Sequence, residues 1–183
     1  MLYKYLDFLD YNKHYLSPLL VPSNEDVIVG VEKSLNIKFP EAVREFFLIA
    51  GGGRYDIFWY GIGFSNYTLE TLPLMISEVK NDLDQLHNFK KDDTFYNYHL
   101  PILNESEIYD FVMLNEGDDP PVYRFSFELF AEWDNVSEKD LDNWLLRTFN
   151  ALPLSKFRGA LKLSDNFSEY VKRKMKQNIS NFT

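Results

Sequence analysis

Apolar residues recur at helical spacing in several parts of the chain and in short runs in its middle. Spacings of three and four residues predict helices near residues 2–15, 23–36, 40–50, 72–86, 137–149 and 164–179. The helix at 40–50 has the clearest local signals. Pro40 stands at its first turn, where a missing N–H costs nothing, and Gly51-Gly52-Gly53 ends it.

Short apolar runs separated by turn-forming residues predict an antiparallel meander. The strands are expected at His99–Leu103, Tyr109–Leu114 and Val122–Phe127, with a β-rich segment at 56–62, a short strand at Phe130–Trp133, and a strand or loop at 157–163. Strands in the middle and helices at both ends predict an α+β fold. We expect a mostly antiparallel central sheet, helices packed on one side, and helical additions at both termini.

The charge of the chain is unevenly distributed. The net charge is −9 over 183 residues, yet residues 156–183 carry seven basic and two acidic side chains. The other 155 residues hold 12 basic and 26 acidic side chains. A length of this order suits one domain, so we expect a single domain over residues 1–183. Its core is expected at about 23–150, and residues 151–183 are expected to form a basic helical extension.

The acidic body narrows the classes of partner. A negative surface repels phosphate backbones and attracts basic proteins, so we expect a basic protein partner and no nucleic acid. No segment approaches the ~20 apolar residues that span a bilayer, and the N-terminus lacks the apolar core of a signal peptide. Cysteine is absent. These features predict a cytoplasmic protein that does not enter a membrane.

Few residues suggest catalytic chemistry. Gly51-Gly52-Gly53 follows a predicted helix, whereas a phosphate-binding loop precedes one. His14, His87 and His99 are far apart and lack metal-ligand spacing. We therefore expect no enzyme activity, no cofactor and no metal. A pair of carboxylates that acts as in a glycosidase stays open as an alternative, because nothing selects such a pair from 28 acidic residues.

Five residues are candidates for contact with a partner: Asp56, Trp59, Glu116, Asp118 and Asp119. Exposed aromatic and acidic residues are typical of interfaces that bind basic partners. Each candidate also has a structural alternative. Trp59 could pack in the core, and Glu116-Gly117-Asp118-Asp119 could serve only as a hairpin tip, where Gly and Asp favour the turn. The spacing of a calcium-binding loop is incomplete there.

The stretch 31–48, which closes on Gly51-Gly52-Gly53, resembles the SUKH superfamily, the Smi/Knr-like proteins. The shared pattern is an acidic residue two turns before an apolar-Pro pair (Phe39-Pro40), then an aromatic helix and a glycine turn. Pro101-Ile102, Pro121-Val122-Tyr123 and the segment 130–149 are similar to later parts of that family. The resemblance covers roughly residues 23–150.

This resemblance implies a non-enzymatic fold that bacteria use widely in immunity proteins, which bind and block a toxin, often a nuclease. Other members regulate cell-wall synthesis or act as adaptors. The expected function is therefore an immunity protein that neutralises a basic toxin by occlusion. The alternative is an adaptor or regulatory protein-binding domain.

Overall fold

The computed structural model of the chain describes residues 3–11, 21–52, 68–86, 98–105, 108–133 and 159–180, with five separate positions between 136 and 147. These ranges form six α-helices and one four-stranded sheet, which confirms the α+β class. The helices are α1 (Asp7–Tyr11), α2 (Glu25–Leu35), α3 (Glu41–Ala50), α4 (Leu72–Gln85), α5 (Phe127–Trp133) and α6 (Phe167–Ser180). The strands are β1 (His99–Glu105), β2 (Ile108–Met113), β3 (Val122–Ser126) and β4 (Ala160–Ser164). A short 3₁₀ helix, Leu69–Thr71, precedes α4. The predicted segment 56–62 lies outside the described residues, as does most of the predicted helix 137–149.

Local signals fix the ends of α2 and α3. The side-chain oxygen of Asn24 accepts a hydrogen bond from the N–H of Val27 at 3.0 Å and so caps the first turn of α2. The helix ends at Asn36, whose φ of 53° is left-handed, a conformation that asparagine tolerates. Pro40 directly precedes α3. The prediction of two successive helices here is confirmed.

The sheet is an antiparallel meander in the order β1-β2-β3-β4. Tyr109 of β2 lies opposite Phe125 of β3, and Phe111 lies opposite Tyr123. Both ring pairs are stacked, with centroids 5.1 and 5.4 Å apart. Cross-strand aromatic pairs contribute roughly 0.2–1 kcal/mol each, so the aromatic residues of this segment stabilise the β2–β3 pairing.

Both faces of β2 are buried. Val112 lies in the larger hydrophobic cluster, to which α2, α3 and α6 contribute. Its neighbours Phe111 and Met113 lie in a second cluster with Val79 and Leu83 of α4. Because successive strand residues point to opposite faces, the two clusters lie on opposite sides of the sheet. The helices α2, α3 and α6 cover one face of the sheet. Val79 and Leu83 of α4 pack in the second cluster, on the other face.

Residues 127–133 form the helix α5, where the sequence suggested a short strand at Phe130–Trp133. The Oγ of Ser126, the last residue of β3, accepts a hydrogen bond from the N–H of Leu129 at 3.3 Å. A serine in this position starts a helix, because it satisfies an N–H that the first turn leaves without a partner. The strand prediction is wrong at this point for that reason.

The segment after residue 158 contributes to the core rather than extending from it. Ala160 of β4 pairs with Phe125 of β3. The ring of Phe167 in α6 meets that of Phe46 in α3 edge-on, with centroids 5.8 Å apart. The described part of the predicted extension, residues 159–180, thus contains the fourth strand and a core helix, because the apolar stripe of α6 is buried against α3.

A buried carboxylate joins α6 to the sheet. Asp110 of β2 is fully buried and accepts two hydrogen bonds from the guanidinium group of Arg124 on β3, at 2.7 and 3.0 Å. The hydroxyl group of Tyr170 in α6 donates a third, at 2.6 Å. Burial, together with the charge of Asp110, raises the pKa of Tyr170 well above its ordinary value. A charge in the interior requires such partners.

The N-terminal segment is fastened to α3 by one side chain. The carboxylate of Glu45 accepts hydrogen bonds from the backbone N–H groups of Lys4, Tyr5 and Leu6 at 2.7, 2.8 and 3.0 Å. Leu6 and Leu9 are fully buried in the larger cluster. The short helix α1 therefore packs on the domain.

Candidate partner-binding surface

The turn between β2 and β3 carries three of the five predicted contact residues. It runs over residues 114–121, and the N–H of Glu116 donates to the carbonyl oxygen of Met113 at 3.2 Å. Gly117 has a φ of 95°, which side chains other than glycine rarely adopt. The sequence Glu116-Gly117-Asp118-Asp119 thus forms a hairpin tip, as one of the two readings of the sequence predicts.

This turn holds the N-termini of two helices. The carbonyl oxygen of Asp118 accepts the N–H of Ala42 in α3 at 2.9 Å. The carboxylate of Asp119 accepts both the N–H and the hydroxyl group of Ser168 in α6, at 2.9 and 2.6 Å. Both contacts satisfy N–H groups that helices leave without partners, and the carboxylate of Asp119 places negative charge at the positive end of α6. The turn is therefore held to the core at two points.

Glu116 is also bonded within the domain. The hydroxyl group of Tyr123 donates to its carboxylate at 2.8 Å. Burial, and then the bond and charge of Glu116, raise the pKa of Tyr123 above its ordinary value. The side chains of Glu116 and Asp119 thus both have a structural role in this turn.

Asp118 differs from its two acidic neighbours. It is exposed, and no described group of the protein bonds or pairs with its carboxylate. Only its backbone is engaged, through Ala42. The structure therefore presents this carboxylate to the surroundings from a backbone that is fixed.

Asp118 lines an open cleft of about 620 Å³ between α2, α3 and the β2–β3 turn. The charged residues of its lining are Glu32, Lys38, Glu41, Arg44 and Asp118. The apolar residues of its lining are Val29, Phe39, Pro40 and Leu114. Charged residues outnumber apolar ones in this lining, unlike the mostly apolar lining of small-molecule pockets.

One cation of the cleft is already neutralised. The guanidinium group of Arg44 donates to the carboxylate of Glu32 at 2.5 Å and also contacts that of Glu25. The hydrogen bond to Glu32 is the largest cause that raises the pKa of Arg44. Glu32 accepts in addition the N–H of Phe39 at 2.8 Å. Glu32, the acidic residue two turns before Phe39-Pro40, thus accepts hydrogen bonds both from the backbone just before α3 and from Arg44 within α3.

The remaining candidates and exclusions concern other parts of the chain. Asp56 and Trp59 lie outside the described residues and stay predictions. In the ranges that the structure describes, no three His, Asp or Glu side chains come together in a way that could hold a metal ion. No helix in those same ranges has the length and apolar character needed to cross a bilayer.

The structure defines the class of protein: it is an α+β domain in which two helices and the turn between two strands frame an open, charged cleft. The chain belongs to the SMI1 / KNR4 family (SUKH-1), which matches residues 22–173. The resemblance inferred from the residues around Phe39-Pro40 is thereby confirmed. No curated protein matches the chain.

The matched range, residues 22–173, extends beyond the core predicted at about 23–150. It includes β4 and the first half of α6, in agreement with their place in the core. It also contains every described residue of the cleft. Domains of this family are generally non-enzymatic and act in immunity or regulation.

Proposed function

We propose that this protein is an immunity protein that binds a cognate toxin and neutralises it by occlusion. Membership of the SMI1 / KNR4 family supports a role in immunity or regulation. The absence of cysteine agrees with a mechanism that needs no thiol chemistry. Occlusion requires only a rigid surface that complements the active site or substrate groove of the toxin.

The charge of the chain supports a basic partner. Outside residues 156–183, acidic side chains outnumber basic ones by 26 to 12. Such a field steers a basic protein toward the domain and raises its association rate, with an effect that weakens as salt is added. A toxin that acts on nucleic acid has the basic surface that this field attracts.

The observation that carries the proposal is the carboxylate of Asp118 at the rim of the cleft. Its backbone is bonded to α3, while the side chain has no partner among the described residues. Binding loses less entropy when the contact groups are already held in place. The β2–β3 turn and the cleft beside it form the surface that we assign to the toxin.

Co-expression with a candidate toxin, chosen from the genes next to that of this chain, tests the proposal. We expect cells that carry both proteins to survive, and calorimetry to show a complex that weakens as salt is raised. Absence of a complex, or a complex that leaves the toxin fully active, would refute neutralisation by occlusion. Capture of an endogenous regulatory protein in place of the toxin would instead favour the adaptor role.

A further inference from the structure

The charges of the cleft differ in how far they are satisfied within the domain. Arg44 is bonded to Glu32 and Glu25. Glu41 is 58% exposed, and its ion pair with Lys4 spans 3.5 Å between exposed side chains. Such surface pairs contribute little, because water and salt screen them. Glu41 therefore remains open to a stronger partner.

The net charge of the lining is negative. Its three carboxylates, on Glu32, Glu41 and Asp118, face two cations, on Lys38 and Arg44. Glu25 adds a further negative charge through its contact with Arg44. An incoming cation thus gains energy in this cleft, and an incoming anion meets repulsion.

The apolar part of the lining restricts the shape of the cation. Val29 and Leu114 are half-buried and provide an apolar surface, whereas Phe39 and Pro40 of the lining are buried. Arginine and lysine carry their charge on an apolar stem that packs on such a surface while the charged end stays polar. A bare metal ion has no apolar stem and would gain nothing from contact with this apolar surface.

We propose that the cleft accepts one basic side chain of the toxin, with its charged end bonded to the carboxylate of Asp118 and its stem packed on Leu114. This inference rests on the proposed function and names the contact that would anchor it. Glu41 is the second acceptor. The positive charge of Lys38 repels the incoming cation, so its removal should strengthen binding of the basic side chain.

A small peptide isolates this contact from the rest of a toxin surface. The probe is acetyl-Gly-Arg-Gly-amide, added to the full chain labelled with ¹⁵N and followed by NMR. We expect saturable shifts of the amide signals of Ala42, Gly117 and Asp118. The citrulline peptide, which has the same shape without the charge, should leave these signals in place, and the lysine peptide should reproduce them.

Substitutions then test the direction of the charge effect. Asp118→Asn should weaken binding of the arginine peptide about tenfold or more, since a charge-assisted bond is lost. Lys38→Gln should tighten binding about twofold, because a like charge is removed. Glu128→Gln removes the same negative charge as Asp118→Asn from an exposed position on α5, outside the cleft, and should change the affinity little. Weaker binding in Lys38→Gln, or equal binding in Asp118→Asn, would overturn the inference.

The two proposals fail in different ways. If the toxin is neutralised equally by the native protein and by Asp118→Asn, the cleft is not the anchor and the proposed function stands. If the arginine peptide binds as described and the toxin does not bind, the proposed function falls while the cation site stands.

Discussion

Removal of a single hydroxyl group tests whether α6 is tied to the sheet through a buried charge. In Tyr170→Phe, the carboxylate of Asp110 loses a 2.6 Å hydrogen bond but keeps the two bonds from Arg124. Hydrogen bonds to charged groups contribute about 1.5–3 kcal/mol each. Because Asp110 stays paired, no further desolvation cost is added, and we expect a loss of about 2 kcal/mol in the free energy of unfolding.

A second substitution at the same bridge should cost more. Asp110→Ala removes the acceptor of all three bonds. Because the side chain of Arg124 is 32% exposed and can be hydrated, we expect a loss of about 3 kcal/mol, the low end of the range for a buried pair. Tyr98→Phe is the matched control. Tyr98 is 46% exposed, so its change should stay within about 0.5 kcal/mol.

Urea unfolding followed by far-UV circular dichroism measures these differences. For a chain of this length, 2 kcal/mol corresponds to a fall in melting temperature of about 4–8 °C. The expected order of stability is Tyr98→Phe, then Tyr170→Phe, then Asp110→Ala. Equal stability of the two tyrosine variants, or a smaller loss in Asp110→Ala than in Tyr170→Phe, would contradict the bridge.

Three further outcomes follow from the described contacts. Gly159→Ala should lose about 2 kcal/mol or more, because Gly159 has a φ of 75° and an added Cβ would lie 2.7 Å from a side-chain carbon; Gly30→Ala, where nothing lies within 4 Å, should gain about 0.8 kcal/mol in the same urea assay. Asp119→Ala should lose about 1–2 kcal/mol with its cap on α6, whereas Asp118→Asn should change stability by less than about 0.5 kcal/mol, and equal losses would contradict the separation of their roles. Finally, the raised pKa of Tyr170 means that the unfolded chain releases this proton first, so its contribution to stability is complete below pH 10 and is lost as pH rises toward the folded-state pKa. Tyr170→Phe should therefore flatten the fall in stability above pH 10 by up to about 1.4 kcal/mol per pH unit, and an unchanged slope in chemical denaturation would count against it.

Local signals allowed much of the fold to be predicted. Pro40 and Asn36 mark helix ends through their own backbone preferences: α2 stops at Asn36 as predicted, and α3 begins one residue later than predicted, at Glu41. The meander follows from apolar runs separated by short turns. The helix at 127–133 was missed, because its start depends on the hydroxyl group of Ser126 rather than on a change in the apolar pattern.

The long-range contacts could not be predicted in this way. Asp110 stands in an apolar strand, and its partner Tyr170 is 60 residues away in sequence. The sequence indicated an acidic turn but not the different roles of Asp118 and Asp119. That difference depends on the contact between Asp119 and Ser168, which only the folded chain shows. Lys38 and Arg44 of the cleft carried no signal, since their positions relative to the turn arise from packing between α2, α3 and the sheet.

The place of β4 at the edge of the sheet has a consequence for synthesis on the ribosome. Until residues 160–164 emerge, β3 lacks its partner on that side, and the aromatic face around Phe125 is incompletely covered. Unpaired strand edges and exposed apolar surface in nascent chains promote aggregation and recruit chaperones. A pause in translation before this strand is released would prolong the exposure of the β3 edge.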